Sequence, residues 1–185
     1  IEKITNHDVK AVEYFIKEQL SDTSLENCLE FIHFGLTSQD INNTAIPASF
    51  QDALLDIYDP LLNSLLTSLK THSEQYIGIP MLAKTHGQPA SPTTLVKEFK
   101  VFIERIELQM TLLNRLPIMA KFGGATGNLN AHKVCYPTID WIAFANDFVS
   151  EKLNMQRMQT TTQIDHYDHL AAMFDNINRI NNILI

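Results

Sequence analysis

The chain has 185 residues, of which 45% are hydrophobic and 19% charged. That is the composition of an ordinary soluble globular protein, with enough chain for one sizeable domain or part of a larger one. A formal net charge of −7 argues against a nucleic-acid or membrane-surface role, and no apolar run approaches the roughly 20 residues that span a bilayer. The first residues lack the basic, apolar and small-residue regions of a signal peptide. Cys28 and Cys135 show no metal-motif spacing, so a reducing, cytoplasmic compartment is expected. The sequence opens at Ile1, without a methionine, in a helix-like pattern, and ends at Ile185 inside another. A piece of a longer chain is expected from this.

In chain order, the first polar island is "TNHDVKA", Thr5 to Ala11, before a helix expected to run to about Leu20. Thr5, Asn6 or Asp8 can cap that helix. His7 is not needed for capping and asks for another explanation. The second island is "FGLTSQDINN", Phe34 to Asn43. Gly35 reads as a helix stop, and Thr37 and Asp40 have capping-box-like spacing. Capping explains either hydroxyl of Thr37 and Ser38 taken singly. The two together at a helix N-terminus also suit an anion site.

Between Ile46 and Leu69, Phe50, Leu54, Ile57, Leu61, Leu65 and Leu66 form one broad helical face. Pro47 is expected in the first turns of that helix, and Pro60 is expected to kink or cut it. The next island, "AKTHGQPASP" from Ala83 to Pro92, reads as a polar loop that Pro89 and Pro92 hold extended. A fixed histidine there, His86, can exchange a proton near neutral pH.

A helix is expected from about Thr93, with Phe99, Ile103, Ile106, Met110 and Leu113 as a bundle seam closed before Pro117. The island "GGATGNLNAH", Gly123 to His132, lacks the ending of a phosphate-binding P-loop. Its glycines would let backbone N–H groups approach a ligand, or simply make a tight connection. A shorter helix is expected from Thr138 to Leu153, with Trp141, Ala145, Phe148 and Val149 inward. In "TTTQIDHYDH", Gln163 could face a ligand, while the His166 and His169 pair lacks further ligands, so no metal is expected. The last stripe is Leu170, Met173, Ile177, Ile180 and Leu184, an apolar face that implies self-association. Strand signals are nearly absent. The fold expected is all-α, a bundle of long helices.

As an ordered set, "TNHDVKAVEYFIKE", "FIHFGLTSQDINN", "KTHGQPASPTTLVKE", "GGATGNLNAHKVCYPTIDW" and "TTTQIDHYDHLAAMFD" resemble the adenylosuccinate lyase family in its bacterial form, within the fumarase/aspartase superfamily. The resemblance covers essentially all 185 residues. The T-H-G-Q-P-A island alone would indicate only the superfamily, whereas the N-H-D-V island and the T-Q-I segment select adenylosuccinate cleavage. The resemblance implies a truncated long-helix bundle, with residues 1–75 ending an N-terminal helical domain and entering the first bundle helix. Residues 76–185 would then be an incomplete central bundle domain.

The implied reaction is β-elimination of fumarate from adenylosuccinate, giving AMP, and from the succinyl imidazole-carboxamide ribotide of purine synthesis. His86 would be the general acid. Asn6, His7, Asp8, Thr37, Ser38 and Gln163 would contact substrate, with Thr85 and Gln88 beside the acid touching the succinyl part. No cofactor is implied, and the partner is further copies of the chain in a homotetramer whose active sites draw on several subunits. The family's base is a serine in a signature resembling G-S-S-x-M-P-x-K-x-N-P, which these residues do not contain. The chain by itself is therefore expected to be inactive. The alternatives are another lyase of the superfamily, such as argininosuccinate lyase, or a non-catalytic helical interaction module.

Overall fold

The computed structural model describes residues 1–185. At several helix starts a side chain accepts from N–H groups that have no partner within the helix. Helix α1 is a single turn, Glu2–Thr5, and α2 runs Asp8–Leu20. The cap of α2 is His7, whose Nδ1 accepts from Lys10 N at 3.3 Å. This corrects the expectation of Thr5, Asn6 or Asp8. Asn6 is left-handed (φ 50°) and closes α1, while Asp8 Oδ1 accepts from the adjacent Val9 N at 2.8 Å.

Helix α3, Ser38–Ala53, begins well before the apolar face seen in sequence, so Pro47 lies in its interior rather than its first turns. A π-helical turn, Leu54–Tyr58, leads without a break into α4, Asp59–Gln75, and Pro60, which has no N–H to offer the preceding turn, sits directly after the widened turn. The remaining long helices are α5, Leu95–Leu113, capped by Thr94, and α8, Asp168–Leu184. Shorter helices are α6, Asn130–Cys135, and α7, Trp141–Asp147, the latter capped by Asp140 Oδ1 on Ile142 N (3.1 Å) and Ala143 N (3.0 Å). No helix is long and apolar enough to cross a membrane.

The chain forms two compact units. One joins Ile1–Ser49 to Ile118–Tyr167, and the other joins Phe50–Pro117 to Asp168–Ile185. The core of the first is Ala120, Phe122, Leu129, Ala145, Val149 and Met155, with Trp141 and Phe148 packed against it. It includes two short parallel strands, β3 (Met119–Ala120) and β4 (Gln156–Arg157).

In the second unit α5 packs against both α4 and α8. Ile103, Ile106, Met110 and Leu113 are buried as the seam predicts, each contributing on the order of 1.5–3 kcal/mol when fully buried. On α8 the buried face is Met173, Asn176, Ile180 and Ile183. Of the expected stripe, Met173 and Ile180 are buried, Leu170 and Ile177 are half-buried, and Leu184 is half-exposed. The face is broadened on one side, where Asn176 and Ile183 are buried beside Ile177 and Leu184.

Strands are the main departure from the expected fold. The proline-bearing loop is an antiparallel hairpin, β1 (Pro80–Thr85) with β2 (Gln88–Thr94), paired from Pro80↔Thr94 to Thr85↔Gln88. Its sequence lacks β-branched alternation, and what specifies it is the turn. His86 and Gly87 both have positive φ (52° and 74°), the combination a two-residue type I′ hairpin needs.

Candidate active site

In the first unit, the start of α3 and the glycine loop are held by one carboxylate. Asp40 Oδ2 accepts from Thr37 N at 2.8 Å, the reach-back half of a capping box. Its Oδ1 accepts from Lys121 Nζ (2.7 Å) and Gly123 N (2.8 Å), and Gly124 N lies 3.2 and 3.1 Å from Oδ1 and Oδ2. Lys121 Nζ also donates to Gly124 O at 2.7 Å. Both side chains of the ion pair are fully buried, where a charge is tolerated only if paired and hydrogen-bonded. The backbone adds a further tie, since Lys121 N donates to Asn43 O at 3.2 Å. That carbonyl is free to accept because Pro47, four residues on, has no N–H to offer it.

The glycines then admit close neighbours. Gly127 (φ 80°) has the Thr161 carbonyl oxygen 2.3 Å from where a Cβ would stand, and Gly35 (φ 64°) faces the His132 ring at 2.7 Å. Gln163 Nε2 reaches Thr37 Oγ1 at 3.4 Å. Three islands far apart in sequence, those of Thr37, Gly127 and Gln163, thus meet in one unit. Thr37 and Ser38 are half-buried, whereas Gln163 is exposed. His132 is buried, with its ring 5.4 Å from Phe34 and 4.8 Å from Trp141. Burial pushes its pKa down against the backbone hydrogen bond at Phe34 and the charge of Asp40, which raise it, so it packs as a neutral ring.

The first island stays at the surface, with Asn6, His7 and Asp8 all exposed. With Nδ1 used for capping, His7 has Nε2 left over as its free polar atom. Below it on α2, buried Glu13 receives Lys10 (2.5 Å), Lys17 (3.1 Å) and His33 Nδ1 (3.0 Å). Burial alone would raise the Glu13 pKa, but hydrogen bonds from these three groups outweigh it and hold it at about 2, below its ordinary 4.5. A depressed carboxylate stabilises the fold above its unfolded pKa, and this is lost as pH falls through the folded value. Glu13→Gln is therefore expected to lose on the order of 1 kcal/mol near neutral pH, since its partner Lys10 is 44% exposed and solvent screens the pair, with the gap to wild type closing as pH is lowered from about 5 to 2. Urea unfolding across that range checks it, and a gap independent of pH would contradict it.

In the second unit, the hairpin carries Thr85, His86, Gly87 and Gln88, all exposed. The strand pairing of Thr85 with Gln88 presents His86 at the tip.

Comparison with known proteins identifies the scaffold. The profile of a family described as lyase matches residues 1–185. The chain belongs to that lyase family. It is 56% identical over its whole length to adenylosuccinate lyase of Dictyostelium discoideum, and 44% identical to the protein of that name from Escherichia coli strain K12. It spans about 41% of the length of each. Among solved structures it shares its fold with 3-carboxy-cis,cis-muconate lactonizing enzyme of Pseudomonas putida. That match has a TM-score of 0.76 and 21% identity, covering 99% of this chain and 40% of the other.

Sequence reasoning singled out polar residues of the loop islands and passed over the buried ionic ones. Asp40 read only as a cap, and Lys121, Glu13 and His33 went unread. A lysine two residues before a glycine pair, with a capping-box aspartate elsewhere, was the available signal.

Proposed function

We propose that the protein carrying this chain cleaves adenylosuccinate to AMP and fumarate by β-elimination, and the succinyl imidazole-carboxamide ribotide likewise, in purine nucleotide biosynthesis. The observation that carries this is 56% identity across the whole chain to an adenylosuccinate lyase. A base removes a proton from the carbon beside a succinyl carboxylate, the C–N bond breaks, and an acid protonates the departing nitrogen. The acid is His86. Thr85 and Gln88 contact the succinyl part, and Asn6, His7, Asp8, Thr37, Ser38 and Gln163 hold the rest of the substrate.

The donors suit an intermediate of high negative charge. Hydroxyls and free N–H groups at the start of α3 supply fixed partners for its oxygens. The base is the serine of the family signature, so turnover needs a chain that includes it. No cofactor is required. The assembly is a cytoplasmic homotetramer of long helices, in which residues 1–75 close an N-terminal helical domain and 76–185 belong to the central bundle. Fumarate release from adenylosuccinate, followed with the full chain, tests the reaction.

A further inference from the structure

Two cations are buried in this chain, Lys121 and Arg157, at 0% and 9% exposure. Lys121 has its counter-charge in Asp40. Arg157 has none: its Nε donates to Phe122 O at 2.6 Å, and its Nη1 to Asn146 Oδ1 and Gln159 Oε1, both at 3.2 Å. All three acceptors are neutral, and Nη2 carries two further N–H donors. A desolvated guanidinium without an anion is costly. Burial pulls its pKa down, and the only opposing influence is the charge of Asp40, which already serves Lys121 and the loop amides.

The same side chain lines a cavity of about 200 Å³ together with Gly127, Asn128, Leu129, Ile142 and Gln159. That is below the roughly 300–1,000 Å³ of clefts that take drug-sized ligands, and of a size for a tetrahedral oxyanion with water. None of the residues proposed above as substrate contacts lines it.

We propose that Arg157 and this cavity form a binding site for a small oxyanion of the size and charge of inorganic phosphate. Arginine is the side chain best matched to such an oxyanion, through paired N–H donors. The site is tied to the glycine loop on two sides: Arg157 Nε holds the carbonyl of Phe122, and Gly127 and Asn128 form part of the wall. An anion there supports the loop beyond its Asp40 clamp, at Gly127 and Asn128, and raises the stability of the folded protein by linkage.

The test is a titration of the full chain with inorganic phosphate at constant ionic strength, reading melting temperature and heat of binding. Wild type is expected to give a saturable rise in melting temperature. Arg157→Gln and Gln159→Glu should each weaken phosphate binding at least about tenfold, because a charge-assisted pair is lost or already satisfied internally. Gln159→Glu keeps the test valid if Arg157→Gln does not fold, since it supplies the missing carboxylate. Ribose 5-phosphate distinguishes a free ion from a phosphate ester and should bind more weakly than phosphate. Unsaturable behaviour in wild type overturns the proposal. So does phosphate affinity unchanged in Gln159→Glu but lost in Thr37→Val, which would place the anion on the substrate contacts instead. Fumarate release is not a readout, so the result stands apart from the proposed reaction.

Discussion

Replacing Asp40 with alanine is expected to cost about 3–5 kcal/mol of folding stability, the usual effect of removing one partner from a buried ion pair. The loss has several parts. Lys121 would keep a fully buried charge with only the Gly124 carbonyl as acceptor. The N–H groups of Thr37, Gly123 and Gly124 would lose their side-chain acceptor, and each buried group left unsatisfied costs about 1–3 kcal/mol before relaxation. The sum exceeds the pair estimate because water and loop movement will recover part of it.

The reverse change is predicted to be milder. Lys121→Met leaves Asp40 with three backbone donors, so its carboxylate remains solvated by the protein. Urea unfolding of both variants checks the asymmetry. Equal losses, or a loss below about 1 kcal/mol for Asp40→Ala, would show that the pair is not the clamp, since ordinary surface changes stay within about 0.5 kcal/mol.

Removing the His86 imidazole is expected to slow fumarate release by about 10²–10⁴-fold, the typical worth of a general acid. The variant should respect the turn. His86 has φ 52°, and asparagine tolerates this region far better than most residues, so His86→Asn removes the acid while keeping the hairpin. Stability should change little, because His86 is exposed. A drop in turnover with an unchanged melting temperature and a KM within a few-fold of wild type identifies a catalytic loss. Turnover within a few-fold of wild type would remove His86 from the mechanism.

What could be read from sequence followed from where each signal resides. The seam of α5 was legible because Ile103, Ile106, Met110 and Leu113 are apolar at helical spacing and all bury. The α8 seam was read in part, since Met173 and Ile180 are buried, but apolar periodicity passes over a buried asparagine, and Asn176 is buried beside them. The hairpin was read as a loop, since nothing in "PMLAKT" or "QPASPTT" alternates and its stability comes from a turn that histidine and glycine share.

The same logic holds at the candidate site. Thr37, Ser38, His86 and Gln163 were singled out because polar residues in short islands stand out against helices. Asp40 and Lys121 are 81 positions apart, and no local pattern joins them. His7 looked dispensable as a cap because serine, threonine, aspartate and asparagine lead that role, yet its ring nitrogen does the same work once Asn6 turns left-handed.

The measurement that bears most directly on the proposed reaction is product formation from adenylosuccinate by the full chain carrying these residues, with argininosuccinate in parallel. The expected result is fumarate and AMP in equal amounts from adenylosuccinate and no fumarate from argininosuccinate. Intact adenylosuccinate, with fumarate released from argininosuccinate, would contradict the account and move the chain to a different lyase of the same fold.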